Sequence, residues 1–323
     1  MAFLKFEPIL KSTIWGGEKI IPYKGLDVVQ PNVGESWELS GVAGDESVVS
    51  QGEHKGKSIV ELVDTFKGEL IGEKNYARFG NEFPLLIKFI DAREPLSIQV
   101  HPDDKLSMER HNKKGKTEMW YVIDADKDAS LKVGFSEQIT PEEYEQRIAE
   151  DTITDVLDTH VIAPGDLFFL PAGRIHSIGA GAFIAEIQQT SDVTYRIYDF
   201  NRTDAAGNPR ELHTELSKEA INYEVLPEYR TLYDKAKNNE VMLAQCDYFT
   251  TKIYDLDAPF TCDYSSLDSF VIAICVEGAA ELTSDDGAVD TIQKGEMVLI
   301  PATTASLTIT PKDGAKILTS YIE

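Results

Sequence analysis

Two stretches of the chain repeat one pattern, and this repeat limits the possible folds more than any other feature of the sequence. GDLFFLPAGRIHSI (165–178) and GEMVLIPATTASLTI (295–309) share a glycine, an acidic residue, a hydrophobic segment and a proline six positions after the glycine. A similar apolar segment precedes each of them, at 121–126 and at 274–279. Two copies of one β unit are the simplest explanation of this self-similarity.

Most of the remaining chain is typical of short strands. Apolar runs such as PLLIKFI (84–90), LSIQVHP (96–102), MWYVID (119–124) and DLFFLPAG (166–173) are separated by Gly, Pro, Asp and Asn. Short strands with frequent turn residues indicate a sandwich or a barrel. Together with the repeat, they predict a mainly β protein made of two barrels, which we divide into domains at 1–237 and 238–323.

Helical patterns occur in only a few places. The apolar residues from Ile59 to Leu70 have the spacing of one helical stripe. A second helix is predicted to begin at Thr140, because a capping residue is followed there by Pro141 and two glutamates. A third is predicted through 212–221. We therefore expect a small helical portion attached to the first domain.

The charge balance excludes several classes of partner. The 323 residues contain 31 Lys plus Arg and 55 Asp plus Glu, a formal charge of −24. This charge repels a nucleic-acid backbone and an anionic membrane surface. No stretch approaches the roughly 20 apolar residues that span a bilayer, and charges interrupt the first ten residues, so we expect a cytoplasmic protein. The sequence leaves open a monomer or a homodimer.

The cysteine count gives no disulfide framework. Cys246, Cys262 and Cys275 are an odd number, all in the last third of the chain, and lack C-x-x-C spacing. We expect buried thiols.

Four side chains suggest a metal site in the first domain. Gln99 and His101 are two apart on one predicted strand, so they project from the same face. Glu118 lies near the start of the next strand, where antiparallel pairing can return it beside His101. His176 follows a turn at 171–173 that directs its ring back into the barrel. One amide, one carboxylate and two imidazoles suit one zinc ion per chain, and other divalent metals are possible.

Each of these residues also has an ordinary structural explanation. Gln99 could be a strand amide that faces a partner, and Glu118 could form a surface ion pair. The other four histidines are treated as ordinary polar residues: His54, His111, His160 and His213. In the second copy of the repeat, Ser306 and Val271 stand where the first copy has its second histidine and its glutamate, so the second copy cannot hold a metal in the same way.

Taken together, these motifs resemble those of the type I phosphomannose isomerases, in their short bacterial form. The resemblance extends over nearly the whole chain and rests on four segments: SIQVHPDD (97–104), GKTEMWYV (115–122), PGDLFFLPAGRIHSIGAG (164–181) and SDVTYRIYDFNR (191–202). It implies a metal-bearing cupin jelly-roll barrel with a helical portion, followed by a cupin-like barrel without metal ligands. It further implies an enzyme that interconverts mannose 6-phosphate and fructose 6-phosphate through an enediol.

The resemblance also implies roles for individual residues. The zinc ligands carry over onto Gln99, His101, Glu118 and His176, and the active-site lysine and arginine onto Lys116 and Arg196.

Lys116 would act near the ion in proton transfer or ring opening; its ordinary alternative is a solvated lysine at a loop end. Arg196 would bind phosphate or a sugar oxyanion; its alternative is a pair with Asp199 or Asp192. Arg202 is a weaker phosphate candidate. Trp37 and Glu38 lie in a segment similar to one near the family's pocket, although a strand tryptophan is more often a core residue.

Two other functions remain open at this point. A different metal-dependent cupin enzyme, either an oxygenase or a sugar isomerase or epimerase, could use the same fold. Oxygenases generally gather more histidines around iron than the two in this set. A cupin that binds a sugar without turnover would have little use for Lys116 and Arg196 beside the metal.

Overall fold

The structure is a computed structural model and describes residues 3–203 and 207–323. Within these ranges the chain is mainly β, as predicted, and its helices are short. The strands are β1 Ile9–Gly17, β2 Val33–Leu39, β3 Leu85–Asp91, β4 Ile98–Val100, β5 Glu118–Ala125, β6 Ser130–Phe135, β7 Leu157–Val161, β8 Leu167–Leu170, β9 His176–Ile178, β10 Ala182–Gln189, β11 Tyr195–Tyr198, β12 Glu240–Gln245, β13 Thr250–Leu256, β14 Phe260–Asp263, β15 Val271–Ser284, β16 Val289–Gln293, β17 Met297–Ile300 and β18 Ser306–Tyr321.

The helices lie mostly between strands of the amino-terminal two thirds. They are α1 Ile20–Lys24, α2 Ile59–Phe66, α3 Gly68–Ile71, α4 Glu73–Phe79, α5 Asp104–His111, α6 Pro141–Ala149 and α7 Thr214–Ala220, with one 3₁₀ turn at Ile153–Val156. None of the helices in the described ranges is long and apolar enough to cross a membrane.

The strands form three antiparallel sheets. The first sheet has the order β1-β2-β3-β10-β5-β8, and the second has the order β11-β4-β9-β6-β7. The third has the order β12-β13-β18-β15-β16, with β14 paired to β18 and β17 paired to β15. The first and second sheets pack face to face through one apolar cluster that includes Trp120, Val122, Leu131, Val133, Ile178 and Ile184.

The third sheet covers the opposite face of the first sheet. Met119 and Tyr121 of β5 belong to the same core as Ile272 and Leu318 of the third sheet. Since successive strand residues point to opposite faces, β5 buries alternate side chains in two different cores. A central strand of this kind is apolar along almost its whole length, which explains the run MWYVI.

The pairing of strands supports the repeat that the sequence predicts. Glu118 of β5 faces Leu170 of β8, and Val271 of β15 faces Ile300 of β17. Leu170 and Ile300 lie five residues after the two equivalent glycines, so Val271 does occupy the place of the glutamate. Ser306, which the repeat places at the histidine position, is half-buried, and Leu307 beside it is buried in the core of the second copy.

The predicted helices are confirmed with one difference. Helix α6 has the expected capping box between Thr140 and Glu143, with Pro141 in its first turn. The stripe from Ile59 to Leu70 was expected to be one helix, but the backbone of Lys67 has a φ of +49°. The stripe is therefore divided between α2 and α3.

Candidate metal centre

Both sheets contribute to one polar cluster. Gln99 of β4 and His176 of β9 are paired across the second sheet. His101 follows β4 directly, and Glu118 is the first residue of β5 in the facing sheet. The structure thus brings together the four residues that the sequence singles out, from three separate stretches of the chain.

The distances within this cluster are short. The possible ligand atoms of His101, Glu118 and His176 all lie within 4.8 Å of one another. His101 Nε2 is 3.6 Å from Glu118 Oε2, and His176 Nε2 is 3.4 Å from Glu118 Oε1. Gln99 Nε2 lies 3.2 Å from His176 Nε2. The three ionisable groups are buried, so they act on one another with little solvent screening.

Backbone carbonyls fix the tautomer of both histidines. His101 Nδ1 is 2.9 Å from the carbonyl oxygen of Val193, and His176 Nδ1 is 2.8 Å from that of Arg174. A carbonyl can only accept, so each Nδ1 carries the proton and each Nε2 presents a lone pair. Burial lowers the pKa of His176 to about 4, and burial together with the Lys116 charge lowers the pKa of His101. Both rings are therefore neutral ligands near neutral pH.

The carboxylate of Glu118 is next to one ammonium group but lacks well-formed hydrogen bonds within the described ranges. Neither of its buried oxygens has a hydrogen-bond partner of good geometry among the described residues. The Lys116 ammonium lies 2.7 Å from Oε2 and 3.2 Å from His101 Nε2. Burial, reinforced by the charge of Glu186, raises the pKa of Glu118 to about 7. Two imidazole lone pairs that face a poorly satisfied carboxylate fit a divalent metal ion, and a half-turn of the Gln99 amide would add its oxygen.

A second buried pair lies beside this cluster and was missed from the sequence. Glu186 of β10 pairs in register with Lys88 of β3, and the two side chains are 3.1 Å apart. Glu186 also accepts a hydrogen bond from Trp120 Nε1 and lies 3.8 Å from Lys116 Nζ. Burial would raise the pKa of Glu186, but the charges of Lys116 and Lys88 lower it to about 2. The sequence signal for this pair was a lysine inside the apolar run LLIKFI (85–90) and a glutamate inside the apolar run AFIAEI (182–187).

A cavity of about 310 Å³ lies beside the cluster and is lined by Gln99 and by Lys116, which contacts Glu118. Its walls carry charged and polar groups from both sheets and from the segment after β11. They include Glu35, Lys88, Gln99, Lys116, Glu186, Asp192, Arg196, Arg210 and His213. A cavity of this size and polarity can hold a small, highly hydroxylated or charged molecule.

The remaining candidates lie in different places. Arg196 lines the cavity, and its Nη1 donates a hydrogen bond to the carbonyl of Glu211 at 2.9 Å. The alternative of an ion pair with Asp199 or Asp192 is not what the structure has. Arg202 donates from Nη1 to the carbonyl of Pro95 and does not line this cavity.

In the segment that contains Trp37 and Glu38, neither of these two candidates lines the cavity, but Glu35 does. Glu38 is buried on the far face of β2, where its carboxylate is 2.6 Å from Lys24 Nζ. Trp37 lies under the ammonium of Lys88. Since strand residues alternate between faces, Glu35 reaches the cavity and Glu38 does not.

Comparison with known families gives two matches to this chain. The family model described as phosphomannose isomerase type I, catalytic domain, matches residues 3–133. The family model described as mannose-6-phosphate isomerase, cupin domain, matches residues 239–322.

Individual proteins are similar over most of the chain. The mannose-6-phosphate isomerase ManA of Bacillus subtilis is 34% identical over 301 residues, which cover 92% of each chain. A mannose-6-phosphate isomerase of Streptococcus mutans is 40% identical over 208 residues, 64% of each chain. The crystal structure of a Bacillus subtilis mannose 6-phosphate isomerase superposes with a TM-score of 0.89 at 30% identity and covers all of both chains.

Proposed function

The chain belongs to the type I phosphomannose isomerases, and from that premise we propose that it interconverts mannose 6-phosphate and fructose 6-phosphate with one divalent metal ion. Gln99, His101, Glu118 and His176 would hold the ion. The observation that carries this proposal is the pair of Nε2 lone pairs that face the carboxylate of Glu118.

Zinc is the metal that this donor set favours. Two neutral imidazoles and a carboxylate, with an amide as the fourth donor, are borderline ligands of the kind that zinc accepts readily. Such an ion supplies Lewis-acid stabilisation of negative charge on the sugar oxygens. The same four ligands can also bind manganese, cobalt or iron.

Lys116 is well placed to handle protons in the reaction. Aldose–ketose isomerisation moves one proton between C1 and C2, and a second proton between their oxygens. The side chain of Lys116 is 6% exposed and lines the cavity, with its Nζ beside Glu118 and His101. From there its ammonium can donate a proton to a sugar oxygen and recover it as the carbonyl forms on the neighbouring carbon.

The architecture we propose for the enzyme has two cupin-type jelly-roll barrels, at 1–237 and 238–323. The face-to-face packing of the first two sheets supports a jelly roll in the first part. The shared register of Glu118 with Leu170 and Val271 with Ile300 supports a second copy of the same unit. Apolar side chains, Val271 and Leu307 among them, fill the core of the second copy, which supports a single metal site in the first.

A coupled assay for ketose formation tests this function. The protein is stripped with a chelator, reloaded with one equivalent of zinc and given mannose 6-phosphate. We expect turnover by the reloaded protein, strong loss in Lys116→Met, and retention in Lys114→Met, whose ammonium pairs with Glu82 outside the metal cluster. Binding of mannose 6-phosphate without turnover by the metal-loaded protein would favour the sugar-binding alternative and contradict the proposal.

A further inference from the structure

We propose that Arg210 and Arg196 form the subsite for the phosphate group at one end of the cavity, and that Asp199 is a positioning residue for Arg210. This inference rests on the proposed function, since it assigns the charged end of the same substrate. Arg210 was not a candidate in the sequence, which offered Arg202 as a weaker phosphate candidate beside Arg196.

Asp199 organises the charged groups after β11. It is 4% exposed and accepts hydrogen bonds from two arginines. Arg210 Nε donates to Oδ2 at 2.7 Å, and Arg210 Nη2 donates to Oδ1. Arg202 Nη2 also donates to Oδ1. A bidentate contact of this kind fixes the plane of the Arg210 guanidinium.

The charge of this group is not balanced. Arg196, Arg202 and Arg210 bring three positive charges to a region where Asp199 is the shared carboxylate and Glu211 is the other acid that acts on Arg196. Burial and the nearby charge of Arg210 lower the pKa of Arg196. In a protein of net charge −24, a local surplus of positive charge attracts an anion to this place. A phosphate dianion would neutralise it.

Each of the two arginines that line the cavity has an N–H group that makes no hydrogen bond to the described residues. Arg196 Nε is buried and has no hydrogen-bond partner within the described ranges. Arg210 uses Nε and Nη2 on Asp199, and its Nη1 makes no hydrogen bond to the residues that the structure describes. An anion in the cavity would accept from both groups.

Arg202 has a different role. Its Nη1 donates to the carbonyl of Pro95 at 2.6 Å, its Nε to the carbonyl of Asp199 at 3.2 Å, and its Nη2 to the carboxylate. It does not line the cavity. Its contacts hold the chain around Asp199, and the anion would be bound by Arg196 and Arg210.

The position of this subsite suits a sugar phosphate. Arg196 of β11 is paired with Gln99 of β4, and Gln99 is paired with His176 on the other side. Arg196, Gln99 and His176 therefore lie on three adjacent strands, and the cavity is lined by both arginines and by Gln99. A chain of six carbons with phosphate at one end would extend from the arginines to the metal cluster.

Steady-state kinetics of the metal-loaded enzyme test the assignment. We expect Arg210→Met and Arg196→Met to raise KM for mannose 6-phosphate about tenfold or more, since each loses a charged contact that is partly open to solvent. The inhibition constant of inorganic phosphate should rise in parallel, and metal content should stay near one equivalent. Arg93→Met is the matched control, because that arginine bonds Asn32 away from the site.

The positioning role of Asp199 has its own readout. Asp199→Asn should raise KM with a smaller change in kcat, because the guanidinium remains but loses its fixed plane. Arg210→Lys keeps the charge and the ion pair without the fork, and its KM should fall between those of the wild type and Arg210→Met.

The outcomes separate this inference from the proposed function. If the wild type turns over and Arg210→Met binds mannose 6-phosphate and inorganic phosphate as the wild type does, the subsite assignment is wrong. If the wild type does not turn over, the proposed function fails, and calorimetry with inorganic phosphate still tests the subsite through the same variants. If Arg210→Met does not fold, an unchanged KM in Arg210→Lys and Arg196→Met overturns the assignment.

Discussion

Gln99 and His176 face each other across β4 and β9, with the amide nitrogen 3.2 Å from the imidazole Nε2. The pairing of the two strands sets this contact, so the spacing of these two donors depends on the sheet and not on a flexible loop. Rigid placement of this kind is what a catalytic metal site requires.

Loss of either histidine should remove the metal. We expect about one equivalent of divalent metal per chain in the purified protein, and well below half an equivalent in His101→Ala or His176→Ala, because each supplies a preoriented lone pair. Elemental analysis after gel filtration measures this. His54→Ala is the control, since that ring packs on Phe66 away from the cluster. Full metal content in both cluster variants would contradict the assigned ligands.

A carboxylate at the equivalent place in the second copy should not create a second site. Val271→Glu puts an acid at a position that is 2% exposed. We expect a loss of roughly 3–5 kcal/mol in the free energy of unfolding and no additional metal, because the new carboxylate would lie in an apolar core. Denaturant unfolding and metal analysis measure both effects. Val289→Glu, at an exposed position, should change neither; a second bound metal in Val271→Glu would contradict the view that the second copy lacks the remaining ligands.

Removal of the buried lysine of β3 should be costly. Lys88→Met leaves Glu186 and Glu35 without their shared cation. We expect the free energy of unfolding to fall by about 3–5 kcal/mol, and part of this loss to be restored when Glu186→Gln is added. Urea unfolding of the single and double variants measures the coupling. A loss no larger than that of Lys132→Met, whose ammonium bonds Thr159, would show that the pair contributes little.

The arginine cluster should make stability depend on acid pH. Burial raises the pKa of Asp199, but hydrogen bonds from Arg210 and Arg202 outweigh it and hold the pKa below 3.8. The folded protein thus keeps this carboxylate ionised where the unfolded chain takes up a proton. Its contribution is present above about pH 3.8 and is lost as the pH falls through the folded value.

Asp199→Asn tests that dependence. The variant should be less stable than the wild type by about 1–3 kcal/mol at pH 7, and the difference should shrink as the pH is lowered below 4. Thermal melts from pH 3 to 7 measure it. A difference that does not vary with pH would mean that the carboxylate charge has no stabilising role.

The sequence predicted those parts of the site that follow from local spacing. Gln99 and His101 share a strand face because they are two residues apart, and His176 follows a turn motif. Glu186 and Lys88 could not be found in this way, because each lies in an apolar strand that is buried on both faces. Only the register of β10 against β3 brings these two charges together.

Arg210 was missed for a similar reason. Arg210 is fourteen residues from Arg196 in the chain and shares no motif with it. Their common cavity depends on the path of the chain after β11, which local pattern does not determine.

Anomalous diffraction from crystals of the zinc-loaded protein, recorded on both sides of the zinc absorption edge, tests the central claim most directly. We predict one strong anomalous peak per chain, within coordination distance of His101 Nε2, His176 Nε2, the Glu118 carboxylate and the Gln99 amide oxygen. A zinc peak elsewhere in the chain, with none between these four side chains, would contradict the account.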